Sequence, residues 1–477
     1  MPIFDTKIQE LKYQALKEIA TNAYNDTLVD NLLSIPKKII PNNTATMRCC
    51  VYKERAIFAE RLKIAMGGNK AKKGIVEVID IACDECPMSG YEVTSICRGC
   101  LAHPCYHACK MDAISFDNNH VAFIDKSKCV NCGSCSKVCP YSAIANRSRP
   151  CENSCKVKAI NASENQAATI DYDKCIDCGV CIYTCPFGAL VDKSYLINAI
   201  DYLRKSNNNS NYHVIAIVAP SIVAQFKDIT LPKIISGLKK LGFYSVAEVA
   251  LGADMVADRE ALELAEKGFL TSSCCPAFVR FIEKNYPTLT EHISSNLSPM
   301  ATLAKAIKSN DPDCRIVFIG PCTAKKAEVR RKEVRDYIDV ALTFEELQAL
   351  FDARNVDLKA MDDDSMEDAS YFGRVFARSG GLSEAVREAL KEHNITDFDL
   401  KAIQCSGIEE CRLALMKAKK GVLSENFIEG MACIGGCVSG AGVLHRSDTG
   451  RRDVDKHASE SIHPTIAEAI RTAEKKH

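Results

Sequence analysis

One seventeen-residue pattern, written twice, constrains this chain more than any other feature. KCVNCGSCSKVCPYSAI (128–144) returns as KCIDCGVCIYTCPFGAL (174–190), a shift of 46 residues. PCYHACKMDAI and PCENSCKVKAI repeat at the same shift, and Cys83 and Cys86 stand 46 positions before Cys129 and Cys132. The middle of the chain is therefore an internal duplication. Each copy carries a C-x2-C-x2-C-x3-C-P run: Cys129, Cys132, Cys135 and Cys139 before Pro140, then Cys175, Cys178, Cys181 and Cys185 before Pro186. Soft thiolates at that pitch wrap three corners of a 4Fe-4S cube, and the fourth reaches a neighbouring cube. A structural zinc site needs only four ligands in paired CxxC knuckles, which would leave the third cysteine surplus.

The chain holds 26 cysteines in 477 residues and opens MPIFDTKIQELKYQALKEI, without an apolar signal core. That start reads as cytoplasmic, where closely spaced thiols hold metals more often than disulfides. Lysine plus arginine equals aspartate plus glutamate at 61 each, so no basic excess argues for nucleic acid or an anionic membrane. The longest uncharged run, Ser206 to Phe226, begins polar and contains Pro220, too little apolar length for a bilayer span. Composition divides the chain into an N-terminal helical segment (1–80), a duplicated iron-sulfur region (81–195), an α/β domain (205–445) and a charged tail (446–477) read as a solvated turn and a helix.

The duplicated block contains 16 cysteines, enough for four cubes. Cross-ligation pairs Cys97, Cys100 and Cys105 with Cys139, and Cys129, Cys132 and Cys135 with Cys109. In the second copy Cys175, Cys178 and Cys181 take Cys155, while Cys151 and Cys185 take the detached pair Cys83 and Cys86. The alternative for Cys83 and Cys86 is a reduced structural pair. Such a block resembles the two-cluster bacterial ferredoxins, which implies α+β iron-sulfur units and one-electron transfer at low potential.

Downstream, VIAIVAP (214–220) and RIVFIGPC (315–322) are apolar runs ending at proline, as buried parallel strands do on opening into a loop. DREALELAEK and SEAVREALKEH carry helical patterns, so an α/β arrangement is expected, with its site at strand ends. TSSCCPAF (271–278) and GPCTAKKAE (320–328) occupy such positions. Neighbouring Cys274 and Cys275 cannot easily share one metal ion, because successive side chains point different ways. EGMACIGGCVSGAG (429–442) spaces Cys433 and Cys437 for one face of a helical turn.

TSSCCPAF, PCTAKKAE and EGMACIGGCVSGAG resemble the three signature segments of the FeFe-hydrogenases, and the likeness extends through LGADMVADREALEL and FVRFIEKNYP. The resemblance implies a two-lobed domain of mixed or parallel sheets with an H-cluster between the lobes, catalysing reversible interconversion of protons, electrons and hydrogen. It implies that Cys275, Cys322, Cys433 and Cys437 ligate the cube of the H-cluster, and that Cys437 bridges to a two-iron subsite bearing carbon monoxide, cyanide and a bridging dithiolate amine. Cys274 would remain a thiol exchanging a proton with that amine, with Glu260, Ser294 and Glu263 continuing the path outward. Glu260 and Glu263 share a helix face, where partly buried carboxyls with raised pKa relay protons. Lys325 would hydrogen-bond a cyanide ligand, and Met431, Pro321 and Ala277 would line the subsite. Implied partners are a ferredoxin or similar low-potential carrier, and maturation proteins: radical-SAM enzymes and a GTPase scaffold.

Gly320 stands where the family has methionine before PC, Ala277 and Phe278 where it has glycine and tryptophan, and Ile434 and SGAGVL are further departures. These changes remove bulk or hydrogen bonds around the subsite and mark a divergent subgroup. Two other readings stand beside the enzyme: a hydrogen-sensing homologue, and a non-catalytic hydrogenase-like iron-sulfur protein. Cys49 and Cys50 are expected to pack within the N-terminal helices, the alternative being contact with a cluster or partner, and Cys314, Cys405 and Cys411 to be buried hydrophobes.

Overall fold

The computed structural model describes residues 4–163, 166–366, 368–446 and 449–476. VIAIV is β-branched throughout except for Ala216, and all five residues are buried, as befits a strand covered on both faces. It is central in a four-stranded sheet ordered Ser245–Glu248, Val214–Val218, Arg315–Gly320, Val340–Thr343. A second sheet runs Leu270–Thr271, Phe427–Met431, Ala402–Ser406. Every strand pair in both sheets is parallel, so the expected two-lobed α/β domain is present, with parallel rather than mixed pairing. Cys275, Cys322 and Cys433 each follow a strand's carboxyl end, which sends loops from both lobes into the space between.

The iron-sulfur region consists of short antiparallel pairs arranged one inside another. Val76–Val78 pairs with Leu190–Asp192, so this region's strands begin before residue 80. Gly90–Val93 pairs with Ile144–Arg147, and Ile114–Phe116 with Ala122–Ile124, enclosing an outer unit in the chain between Cys86 and Cys151. Ile160–Ala162 and Ala168–Ile170 belong to the inner unit. Thus the first copy of the duplication is inserted within the second.

The N-terminal helix Lys7–Tyr24 shares one core with the α/β domain, through Ala15, Leu16 and Ile19 against residues such as Ile217 and Phe351. A buried charge network reinforces the joint. Lys12 lies 2.5 Å from both Asp192 and Glu345, and Lys326 lies 2.8 Å from both Asp192 and Glu346. Each ammonium thus faces two carboxylates, and each stays charged despite burial.

The tail differs from expectation. It forms two helices, Gly450–Ser459 and Ile466–Lys476, and Ile466 and Ala469 are fully buried in the domain. Glu392 accepts from the amides of Ile466 and Ala467, which anchors the last helix. The solvated turn falls partly on residues 447 and 448, outside the described residues. Cys49 and Cys50 are exposed rather than packed, because the loop carrying them turns around Glu54, which accepts the amides of Thr46, Met47 and Arg48.

Candidate metal centre

Three cavities are lined by the thiol sets expected to share cubes. Cys83, Cys86, Cys151 and Cys185 line one; Cys97, Cys100, Cys105 and Cys139 line another; Cys109, Cys129, Cys132 and Cys135 line a third. Among the described residues no three His, Cys, Asp or Glu side chains converge on one metal position, the arrangement a zinc knuckle would need. Cys155, Cys175, Cys178 and Cys181 form the fourth set. Burial pushes the Cys181 thiol far up, and Cys178, Cys175 and Cys155 push it further as like charges.

The fifth set joins the lobes. Cys275 caps the helix Pro276–Asn285, and Cys322 the short helix Thr323–Glu328. Residues 433–437 are not a helical turn. Gly435 (φ 86°) and Gly436 (φ 93°) hold a left-handed turn that brings Cys437 back after Cys433. Burial drives the Cys322 thiol up to about 12, and Cys275 and Cys437 add to that. Cys437 also rises to about 12, through burial and then Cys275. Cys433 rises well above its ordinary value, through burial and then Cys322, Cys275 and Cys437. All four retain some accessible surface, and Cys322, Cys433 and Cys437 lie deep. Sulfurs that repel one another as thiolates in a buried hollow suit a cationic metal core and little else. Cys178 is close enough to feel Cys275, so the inner unit reaches this centre.

Cys274 packs against a different core cluster from Cys275. Burial raises its thiol far above the ordinary value, and Cys275 and Glu260 are the next contributors. Glu260 is fully buried on the helix Val249–Lys267, where desolvation pushes its carboxyl up to about 7. Ser273 donates to Glu260 Oε1 from both its amide and hydroxyl at 3.4 Å, while Oε2 has no partner. Ser294 donates to Glu263 Oε2 at 3.1 Å, and Lys267 sits 2.7 Å from Glu263 Oε1. Glu263 departs from the raised pKa expected of both carboxyls. Partial burial raises it, but Lys267 and the Ser295 amide outweigh that and leave it low. Ser273 escaped the sequence reading; its only signal was the hydroxyl pair preceding Cys274.

Lys325 is buried, with Nζ 3.3 Å from the Cys274 carbonyl and 2.7 Å from Glu328 Oε2. Burial opposes its charge, but Glu328 prevails and its pKa lies above the ordinary lysine value. Met431 is 2% exposed at the end of its strand, and Ala277 is equally buried. The Pro321 carbonyl accepts the Gly442 amide at 2.8 Å and lies so close to Gly440 that a side chain there would collide with it. Among the departures, Phe278 packs flat on Gly430, where a Cβ would strike its ring, and Gly320 is dictated by the Phe318 ring. Ile434 lies 78% exposed, so it removes nothing from around the centre. Cys314, Cys405 and Cys411 are buried.

Residues 212–441 match the family described as iron only hydrogenase large subunit, C-terminal domain, and residues 122–145 and 167–190 match 4Fe-4S binding domains. Iron hydrogenase 1 of Clostridium pasteurianum is 29% identical over 312 residues, covering 54% of each chain, so the match spans about half the length of that relative. The periplasmic [Fe] hydrogenase large subunit of Nitratidesulfovibrio vulgaris is 30% identical over 383 residues, covering 68% of this chain and 87% of that one. The cytosolic Fe-S cluster assembly factor of Kluyveromyces lactis is 27% identical over 171 residues, covering 34% and 36%. A solved structure of the FeFe-hydrogenase from Chlamydomonas reinhardtii superposes with a TM-score of 0.48 at 21% identity, covering 59% of this chain and 93% of that one.

Proposed function

This chain belongs to the iron-only hydrogenase family as a divergent member, and from that premise we propose that it interconverts protons, electrons and molecular hydrogen. Cys275, Cys322, Cys433 and Cys437 would hold the cube of an H-cluster, and Cys437 would also help to hold its two-iron subsite. When bound, the H-cluster supplies the metal centre at which electrons and protons are exchanged with hydrogen. The protein's own part is to deliver each from a different side. Electrons arrive through the inner iron-sulfur unit, whose Cys178 lies within electrostatic reach of Cys275. A ferredoxin-type carrier supplies or removes them, and maturation proteins insert the subsite.

The observation that carries this reading is the division of labour between adjacent residues. Cys275 lies within electrostatic reach of Cys322, Cys433 and Cys437, while Cys274 feels Glu260 and has its thiol held protonated by burial. A carboxyl near 7 is half ionised at neutrality and can take and return a proton with little penalty. Ser294 and Glu263 continue the route towards Lys267, whose side chain is 40% exposed. Lys325 holds a cation at the Cys274 carbonyl, suited to an anionic ligand of the subsite.

The similarity to a cluster assembly factor favours a second reading, in which the cubes are present and the two-iron subsite is never installed. Infrared spectroscopy of the matured protein separates the two. The hydrogenase reading expects bands of metal-bound carbonyl and cyanide, together with hydrogen evolution from reduced viologen; a spectrum without those bands overturns it. Cys274→Ala should abolish turnover while leaving the cubes' spectra intact. Glu260→Gln should slow turnover about 100-fold or more. It should also flatten the pH dependence of stability. Because the folded pKa is raised from about 4.5 to about 7, the stabilisation is fully present below 4.5 and is lost as pH rises through 7. Thermal melts of the two proteins should agree on the acid side and diverge as pH rises through 7, with Glu260→Gln the more stable there because it has no carboxyl to ionise.

A further inference from the structure

Neither matched 4Fe-4S segment contains Cys83, Cys86 or Cys151. Yet these three thiols and Cys185 line a single cavity, and Arg149 lines it with them. Arg149 is 1% exposed. Its Nε donates to the Pro87 carbonyl at 3.0 Å, and Nη2 donates to the Cys86 carbonyl at 3.3 Å and meets Met88 Sδ at 3.5 Å. Nη1 is buried without a hydrogen-bond partner among the described residues. Among the described residues no carboxylate lies within the 4.0 Å of an ion pair with this guanidinium. Glu152, three residues away, accepts instead from Ser89 Oγ. Every protein partner of Arg149 is thus uncharged. A guanidinium does not shed its proton, and an isolated buried cation is too costly to persist, so the balancing charge must come from whatever fills the cavity.

We propose that Cys83, Cys86, Cys151 and Cys185 hold a 4Fe-4S cube for which Arg149 is the built-in counter-cation, giving this cube a higher reduction potential than the other accessory cubes. Four thiolates around a dicationic core leave a dianion. One electron, passed from a neighbouring cube without transfer of any atom, makes it a trianion while Arg149 keeps its proton. A fixed cation stabilises the trianion more than the dianion, and burial leaves that preference unscreened by water. The duplicated counterpart of this site, at Cys97, Cys100, Cys105 and Cys139, lacks the feature. The position 46 residues earlier is His103, stacked on Phe116 at 3.8 Å, and the arginine lining that unit's cavity, Arg98, is exposed to solvent.

The inference rests on reading the chain as an electron relay, but its test does not depend on hydrogen chemistry. Full-length protein purified without maturation enzymes is titrated with reductant and followed by electron paramagnetic resonance. One accessory cube should reduce ahead of the rest. In Arg149→Gln, at that cube's wild-type midpoint, its reduced-to-oxidised ratio should fall about tenfold or more, a shift of at least ~59 mV for one electron. Arg149→Lys should restore most of it. Cys86→Ser should remove this signal and about four irons per chain. Unchanged midpoints in Arg149→Gln with full iron content overturn the counter-cation. Unchanged iron and spectra in Cys86→Ser overturn the cube. If Arg149→Gln sheds the cube outright, retention in Arg149→Lys supports the charge requirement, and loss in both refutes it. A chain that carries this signal but makes no hydrogen would refute the proposed function alone.

Discussion

Asn131 and Asp177 occupy the same place in the two copies of the cysteine run, both at φ 56°, and each precedes a left-handed glycine, Gly133 (φ 78°) or Gly179 (φ 75°). The backbone is the same; what it faces is not. In the outer unit the Asn131 side chain accepts the Tyr91 amide, a contact wholly within that unit. In the inner unit Asp177 accepts the Ile75 amide at 3.0 Å and pairs with Arg280 of the α/β domain, while its carbonyl accepts Thr323 Oγ1 at 2.9 Å. Cube geometry fixes the ligand spacing in both copies, so duplication preserves it. Selection for docking acts on the residues between the ligands, and there the copies diverge.

The largest expected effect of this divergence is on autonomy. The outer unit's buried core is Cys105, Ile114, Ala122, Ile124, Cys135 and Ile144, so two of its six members are cube ligands. The inner unit's core extends to Ile57 and Ile64 of the N-terminal segment. A core that small depends on its metal. Oxidative removal of iron with a chelator should abolish hydrogen-exchange protection over residues 90–147, while the helix Lys7–Tyr24 and the four-stranded sheet stay protected. Equal loss in both places would erase the distinction.

Next in size is Arg280→Leu. It leaves Asp177, 2% exposed, without its charge partner, for which the usual cost is about 3–5 kcal/mol. The low end applies, because the Arg280 side chain is 29% exposed and the Ile75 amide remains. Denaturant titration reads this directly. Asn131→Ala in the outer unit loses one neutral hydrogen bond and should cost about 1 kcal/mol.

The paired glycines give a finer comparison. Alanine at either position incurs the roughly 1–2 kcal/mol of a left-handed L-residue. At Gly133 the new methyl meets only the tip of Tyr91, which can swing aside. At Gly179 it would come within 2.5 Å of Thr323 Oγ1 and Ala441 Cβ, which belong to the segments carrying Cys322 and Cys437. Gly179→Ala should therefore slow reduction of the metal centre proposed at Cys275, Cys322, Cys433 and Cys437 as well as destabilise, and Gly133→Ala should only destabilise. Stopped-flow reduction of the two variants by the same viologen distinguishes them.

Sequence alone carried the metal chemistry far, because cube ligands obey a spacing rule, and it carried the central strands, because VIAIV and RIVFI are continuous apolar runs. Other features depended on partners remote in the chain. Lys12, Asp192 and Lys326 meet across more than a hundred residues, and nothing local in any of them signals a buried network. Lys326 read locally is a surface lysine. The last helix was expected, but its docking was concealed: Ile466 and Ala469 have helical spacing, and the surrounding charges masked a face narrow enough to seat on the domain. For Cys433 and Cys437 the visible i, i+4 spacing misled, since Gly435 and Gly436 favour a left-handed turn over a helix.

The smallest effect is the one that tests the outer unit's independence most cleanly. Arg147 and Glu92 form an ion pair beside the strands that close this unit, with side chains 51% and 30% exposed. Water and salt screen such a pair, so Arg147→Ala should cost less than about 1 kcal/mol, and the difference should shrink further as ionic strength rises. Among the described residues no ion pair links Arg147 or Glu92 to the α/β domain, so the variant should also leave reduction of the proposed Cys275–Cys437 centre by viologen at the wild-type rate. A cost comparable to that of Arg280→Leu, or a slower reduction, would mean that the outer unit is mechanically coupled to the site, and the contrast between a free ferredoxin loop and a docked one would fail.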